Sequence, residues 1–224
     1  MSESFNKLKR YADEKFNINA IPEDFVANLI YNSLVLEKPI ITLDRVKAIL
    51  AGNKEDGLAA YVLNQQKAFN YVVDCVKEGK QLSADIIKNI HAILFSGIEE
   101  GAGSYRNVNI RIPGSQHVPY EPTKIYGKMD EYIYKLYQIN DYEEGAAYAH
   151  LQLAKIHPFL NGNGRVARLV LNFALMERGY APVLILEKDK EQYFGCLETY
   201  KVKKEMGPFL DYLTLREQEA IRAI

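Results

Sequence analysis

Residues 157–168 read His-Pro-Phe-Leu-Asn-Gly-Asn-Gly-Arg-Val-Ala-Arg, and this string constrains the chain more than any other part of it. Apolar residues recur at helical spacing from Ala146 to Ile156. Pro158 ends that helix near His157, because the residue before a proline is held out of the α region. A second helix reads from Arg165 to Arg178 and closes at Gly179. Asn161 to Gly164 is therefore a turn that opens a helix. The first amides of a helix have no intrahelical acceptor and carry the positive end of its dipole, so such a turn attracts anions, phosphate above all. Arg165 and Arg168 are three apart and can reach one phosphate chain together. His157 can take a proton near neutral pH, its ordinary pKa being about 6.5. A phosphate cradle with a base beside it points to attack by a hydroxyl on a phosphoryl centre. Taken alone, the Asn-Gly pairs would equally suit a solvated turn flanked by surface arginines.

The rest of the chain bounds this reading. A length of 224 residues allows one well-buried core, with room for a small appended helical segment. Lysine and arginine number 28 against 29 aspartates and glutamates. That balance gives no broad pull toward nucleic acid or an anionic membrane, so any anion site must be local. The start, Met-Ser-Glu-Ser-Phe-Asn-Lys, has no apolar core of a signal peptide, and no apolar run reaches membrane-spanning length. Cys75 and Cys196 have no metal-type spacing and read as buried thiols, so a cytoplasmic protein is expected.

Helical text dominates. A short helix is expected within residues 3–15, and another from Pro22 to Glu37, where proline and two acids suit a first turn. Further helices are expected from Asp44 to Leu50, from about Asp56 to Glu78, from Ser83 toward Gly97, from Ile125 to Tyr137, from Asp189 to Tyr200 and from Pro208 to Ile221. Between Gly101 and Pro122 glycine and proline bound the alternating run Val108 to Ile112, which predicts an exposed β-hairpin. The fold class is all-α, a helical domain with one β-hairpin. His150, seven residues before His157, does not fit a zinc-binding spacing and is expected to be buried and satisfied.

With those residues in view, the string 157–168 resembles the signature of the Fic (Fido) family, His-Pro-Phe-x-(Asp/Glu)-Gly-Asn-Gly-Arg-x-x-Arg, at every specified position except Asn161. Leu82 to Leu94 with His91, Gly103 to Arg106, Ile112, Gly114, His117 and Pro119, and Ala147 to Ile156 with His150 resemble other family segments, so that the likeness covers roughly residues 55–200. It implies a Fic-like helical core over 55–200, an N-terminal helical segment over 1–54 and a C-terminal helix over 201–224 packed on the same domain.

The resemblance also implies an activity, transfer of AMP from ATP to a serine, threonine or tyrosine hydroxyl of a target protein. His157 would be the general base and Phe159 a core anchor. Gly162, Asn163 and Gly164 would form the nest around the phosphates, with Arg165 on the β-phosphate and Arg168 on the γ-phosphate. The hairpin, Arg111, Ile112, Pro113, Gly114 and His117 among it, would be the flap that docks an extended target segment. His117 would serve flap structure or touch nucleotide. Tyr193 and its neighbours are candidates for lining an adenine pocket.

Two positions depart from the simple reading. Asn161 stands where the family has the acid that binds Mg²⁺. Its side-chain oxygen can still coordinate but brings no charge, which weakens the metal site. A slower AMP transferase, a transferase using another phosphate-containing donor, and a nucleotide-binding regulatory module with weak or lost catalysis all remain open. The second is an inhibitory helix bearing (Ser/Thr)-x-x-x-Glu-(Gly/Asn). Ser96 to Gly101 fits literally but lies between a helix end and the flap. Ser33 and Glu37 fit except for Lys38 and lie upstream, where the family places this helix. Glu37 would then pair with Arg168, occupy the γ-phosphate pocket and hold ATP in an unproductive pose. No nucleic-acid or membrane partner is expected, and apolar helix faces could serve a homodimer.

Overall fold

The computed structural model describes residues 16–37, 41–53 and 55–223. The helix expected within residues 3–15, and Lys38 and Pro39, lie outside the described residues. Every regular element among the described residues is helical. In chain order these are α1 (Glu23–Val35), α2 (Leu43–Leu50), α3 (Ala59–Lys77), α4 (Ala84–Leu94), α5 (Ile125–Leu136), α6 (Tyr142–Ile156), α7 (Asn163–Met176), α8 (Lys190–Lys203) and α9 (Gly207–Ala223). Short 3₁₀ turns lead into α5 and α8.

Local chemistry explains the helix ends. Thr42, Ser83 and Asp141 accept from the amides of Arg45, Ile86 and Glu144, capping α2, α4 and α6. The third helix starts later than Asp56 because the Asp56 carboxylate is taken by the Arg45 guanidinium and the Leu58 amide, which holds residues 55–58 as a turn. Likewise α1 stops at Val35, and Glu37 sits in the turn that follows, its amide donating to the Leu34 carbonyl.

α7 is the centre of the molecule. All of its residues but Gly164 are buried, including the polar face of Arg165, Arg168 and Asn172, whose groups find partners inside the fold. It packs most extensively on α6, where the His150 ring meets the Ala167 carbonyl, and on α3. α1 lies across α3 and α7, and Asn32 ties it down by accepting from the Glu187 amide. α8 and α9 close the far side of α6. This arrangement puts the end of α6, the start of α7, the turn after α1 and the loop after α4 at one end of the bundle. No helix among the described residues is long and apolar enough to cross a membrane.

The hairpin expected between Gly101 and Pro122 is not formed. The turn is present, with Pro113 and Gly114 at its centre, Gly114 at φ +74° and the Ser115 amide donating to the Ile112 carbonyl. The flanking segments do not pair. Their polar groups go elsewhere: the carbonyls of Val108 and Tyr120 to Arg106, Ser115 and Gln116 to Glu198, and the His117 ring to the Lys155 carbonyl. An isolated two-stranded hairpin is marginal in water, and these side-chain anchors win.

Candidate active site

His157 caps α6 in the left-handed region, φ 53° and ψ 60°, its amide donating to the Leu153 carbonyl. A non-glycine residue there is uncommon, and such positions cluster at functional sites. Arg106 holds this conformation. Its Nε donates to the His157 carbonyl (2.9 Å) and its amide to the Pro158 carbonyl (2.9 Å), while Nη1 and Nη2 reach Val108 and Tyr120. The guanidinium is buried with its donors directed at carbonyls.

The imidazole of His157 sits with Nδ1 3.3 Å from the Ala154 carbonyl. Burial, chiefly, pushes its pKa down to about 4, with the positive charges of Lys201 and Arg106 adding to the effect against the Ala154 carbonyl. A ring donating from Nδ1 leaves Nε2 with a free lone pair, so at neutral pH the side chain can accept a proton.

The turn between α6 and α7 is rigid. Asn163 accepts from the Phe159 amide and donates to the Phe159 carbonyl, closing the turn with one side chain. Phe159 is fully buried, stacked on His91 with ring centroids 4.0 Å apart. His91 in turn accepts from the Gly103 amide at Nδ1, and its Nε2 faces the Asn161 carbonyl at 3.3 Å. One buried histidine thus joins α4, the start of the long loop and the Gly-rich turn, and burial holds its pKa down at about 4. Gly162, at φ +68°, begins α7 with the Phe95 ring so close that an added Cβ would lie 2.2 Å from Cε2.

At the N-terminus of α7 a carboxylate is already bound. Glu37 Oε1 accepts from the Arg165 amide (3.1 Å) and from Arg168 Nη2 (3.2 Å), and Oε2 accepts from Arg165 Nε (3.0 Å). Ser33 completes the set, its hydroxyl and carbonyl accepting from Arg168 Nε and Nη2. Glu37 therefore meets both arginines, Arg165 as well as the Arg168 expected from the sequence. Gly164 permits this approach, since a Cβ there would stand 3.0 Å from Glu37 Oε1.

Beside the carboxylate opens a cleft of about 670 Å³. Its lining combines the polar Glu37, Glu99, Asn161 and Arg165 with the apolar Leu58, Tyr61, Phe95 and Ile98. The Arg165 guanidinium lies over the Phe95 ring, 4.5 Å from its centroid.

The remaining expected residues are placed as follows. Asn161 stands at the cleft edge with Nδ2 donating to both oxygens of Glu99, at 3.2 and 3.1 Å. Arg111, Pro113 and Gly114 are exposed and Ile112 half-buried on the long loop; His117 is fastened to the end of α6 through its ring. His150 is fully buried, Nδ1 on the Ala167 carbonyl and Nε2 accepting from the Tyr193 hydroxyl. Tyr193 is spent on that contact and does not line the cleft, which corrects the expectation for it; the aromatic residues there are Tyr61 and Phe95. Sequence reading also passed over Glu99 and Glu198. Neither has a local signal, because each finds its partner only through the packing of distant segments.

With the geometry in hand, residues 81–175 match the Fic/DOC family model. The chain is 29% identical over 244 aligned positions to a protein of Nematostella vectensis described as protein adenylyltransferase Fic, covering 99% of this chain and 55% of that one. It therefore spans about half the length of that relative, and less of the similarly described Drosophila persimilis protein, 28% identical, of which 38% is covered. Among solved structures, a Fic-domain-containing signalling protein from Bacteroides thetaiotaomicron superposes with a TM-score of 0.85 at 20% identity, over 98% of this chain and 95% of that one, a likeness of fold. The signature string and the matched segment make residues 81–175 similar to the Fic/DOC family, and the superposition extends that likeness to the fold of the chain.

Proposed function

We propose that this protein transfers AMP from ATP to a hydroxyl side chain of a target protein and that Glu37 holds the site in a resting state. The observation that carries the reading is the seat of the Glu37 carboxylate: an anion bound by the first-turn amide of α7 and two guanidinium groups. Those donors suit phosphate oxygens at least as well as a carboxylate. The cleft beside them is lined in part by the aromatic rings of Tyr61 and Phe95, the kind of surface that takes a purine base.

In the transfer, the hydroxyl oxygen of the target attacks the α-phosphorus as His157 Nε2 takes its proton. The bond from that phosphorus to the oxygen bridging to the β-phosphate breaks, and pyrophosphate leaves. Arg165 and Arg168 offset the charge that builds on it. The long loop around Arg111 to His117 supplies an exposed extended edge for a target segment, anchored beside His157 through Lys155 and Glu198. A divalent cation on the nucleotide, when bound, supplies further charge neutralisation, and Asn161 is the residue of the signature that would face it.

In the resting state Glu37 occupies donors that the terminal phosphates need. Removing it should expose them. The test is transfer of label from ATP carrying a labelled α-phosphate, with Mg²⁺ or Mn²⁺, by the wild-type chain and by Glu37→Gly, His157→Ala and Asn161→Asp. Glu37→Gly should label itself, Glu37→Gly with His157→Ala should not, and Glu37→Gly with Asn161→Asp should label faster. Label that persists without His157 would remove it as the base. A Glu37→Gly protein that binds ATP by calorimetry yet labels nothing would make the chain a nucleotide-binding module.

A further inference from the structure

Position 161 carries an amide where the family signature has an acid, yet a carboxylate is present at that place in space. Glu99, in the turn after α4, directs both oxygens at Asn161 Nδ2, and both residues line the cleft that Arg165 and Glu37 line. This turn is held where it is. Asn64 on α3 donates to the carbonyls of Leu94 and Ser96, the Glu99 amide donates to the Phe95 carbonyl, and His91 fastens the neighbouring Gly103 amide. The Glu99 backbone is thus positioned by contacts to α3 and α4.

The chemistry of this pair fits a hard divalent cation. Mg²⁺ takes one or two protein oxygens and completes its shell with water and phosphate. Among the described residues no group of three or more His, Cys, Asp or Glu side chains is placed to hold a metal, so no cage made of protein alone is available. Glu99 and Asn161 offer a charged carboxylate and a neutral amide oxygen at the edge of the phosphate cradle. In the structure the amide turns its N–H₂ to the carboxylate, the only way an amide can satisfy an anion. A half-turn of the terminal torsion presents Oδ1 instead, and that torsion is broad and soft.

We propose that Glu99 supplies the carboxylate that position 161 lacks, and that with Asn161 Oδ1 it takes a divalent cation carried on the phosphates of the bound nucleotide. This rests on the nucleotide-binding reading above. The acid has moved from the Gly-rich turn to the loop facing it, and Asn161 is the second ligand of a rebuilt site.

The test uses the full chain with Glu37→Gly, which frees the cradle, and measures ADP binding by calorimetry in MgCl₂ and in EDTA. Mn²⁺ electron paramagnetic resonance in the presence of ADP serves as a second readout. Mg²⁺ should tighten ADP binding to the parent by about tenfold or more, the scale of metal-site substitutions. Adding Glu99→Gln should abolish that enhancement and broaden no Mn²⁺ signal, while binding in EDTA stays as in the parent. Restoring an acid with Asn161→Asp in the Glu99→Gln background should bring the enhancement back. Glu100→Gln, at the exposed neighbour, should leave it intact.

A Glu99→Gln protein that keeps the full Mg²⁺ enhancement overturns the assignment. So does one that loses ADP affinity equally with and without metal, which would make Glu99 a prop for the loop, and so does an equal effect of Glu100→Gln, which would be general surface charge. A parent that binds ADP with no Mg²⁺ enhancement overturns the cation site and leaves nucleotide binding standing. A parent that binds no ADP under either condition overturns the nucleotide reading itself.

Discussion

Arg106 Nε donates to the carbonyl of His157 at 2.9 Å, across 51 residues of sequence. The contact fixes the backbone of the one residue among those described that is both a left-handed helix cap and a histidine. Arg106 also collects the carbonyls of Val108 and Tyr120, so the same guanidinium holds His157 and both ends of the loop that carries Arg111 to His117.

Arg106→Lys should therefore act on turnover before it acts on binding. Lysine keeps the charge but cannot reach three carbonyls in a fixed plane. In the Glu37→Gly background we expect turnover to fall by more than about tenfold with the ADP dissociation constant nearly unchanged. Leaving buried carbonyls unpaired should lower stability by roughly 1–3 kcal/mol. Single-turnover labelling, calorimetry and thermal melting separate these effects. An equal loss in binding and turnover would show that Arg106 supports the cradle rather than the base.

Gly162→Ala should damage the cradle directly. The added methyl would have to displace the Phe95 ring and hold a left-handed backbone, which together should cost roughly 2–4 kcal/mol. The start of α7 would shift with it, so the variant should bind ADP more weakly even without Glu37. Heating curves and calorimetry report both. A variant as stable as its parent would mean that the Phe95 ring is free to move.

The histidines predict a pH response. Burial holds the pKa of His91 and His157 near 4 and that of His150 near 3, and it lowers that of His117. The unfolded chain binds protons on these groups below about pH 6.5, while the folded one keeps them neutral. Stability from this source is fully present above that pH and is lost as the pH falls toward 4, with unfolding at acid pH as the expected outcome. The rate should follow a different course. His157 is already a free base at neutral pH, so labelling by Glu37→Gly should show no inflection near the ordinary histidine pKa of about 6.5. Urea midpoints and initial rates, measured over the same pH series, check both halves. An inflection in the rate near that value would show an imidazole more open to water than the folded structure has it.

Much of the site is legible in the sequence because it is local. The end of α6, the turn and the start of α7 are contiguous, and each is governed by residues within a few positions: Pro158, Gly162, Asn163 and the paired arginines. Period and cap residues likewise mark most helices, with Thr42 and Ser83 capping α2 and α4. The errors fell where a short-range signal competed with distant partners. Val108 to Ile112 alternates like a strand, but the Val108 carbonyl accepts from Arg106 and Ser115 donates to Glu198, and Asp56 looks like a helix start but is taken by Arg45.

By itself, then, the sequence determined a mostly helical chain, with one hairpin too many, and an anion-attracting turn with a histidine beside it, since turn geometry and dipole follow from residues side by side. Glu37 was reachable only through family likeness, as it lies 131 residues from Arg168. The tertiary structure decided what surrounds the cradle. It seated Glu37 on both arginines, clamped His157 with Arg106, drew the long loop onto Glu198 and brought Glu99 to Asn161 across 62 positions. Such pairings depend on how whole helices pack, and burial of apolar faces constrains that packing without naming the polar residues that meet at its edges.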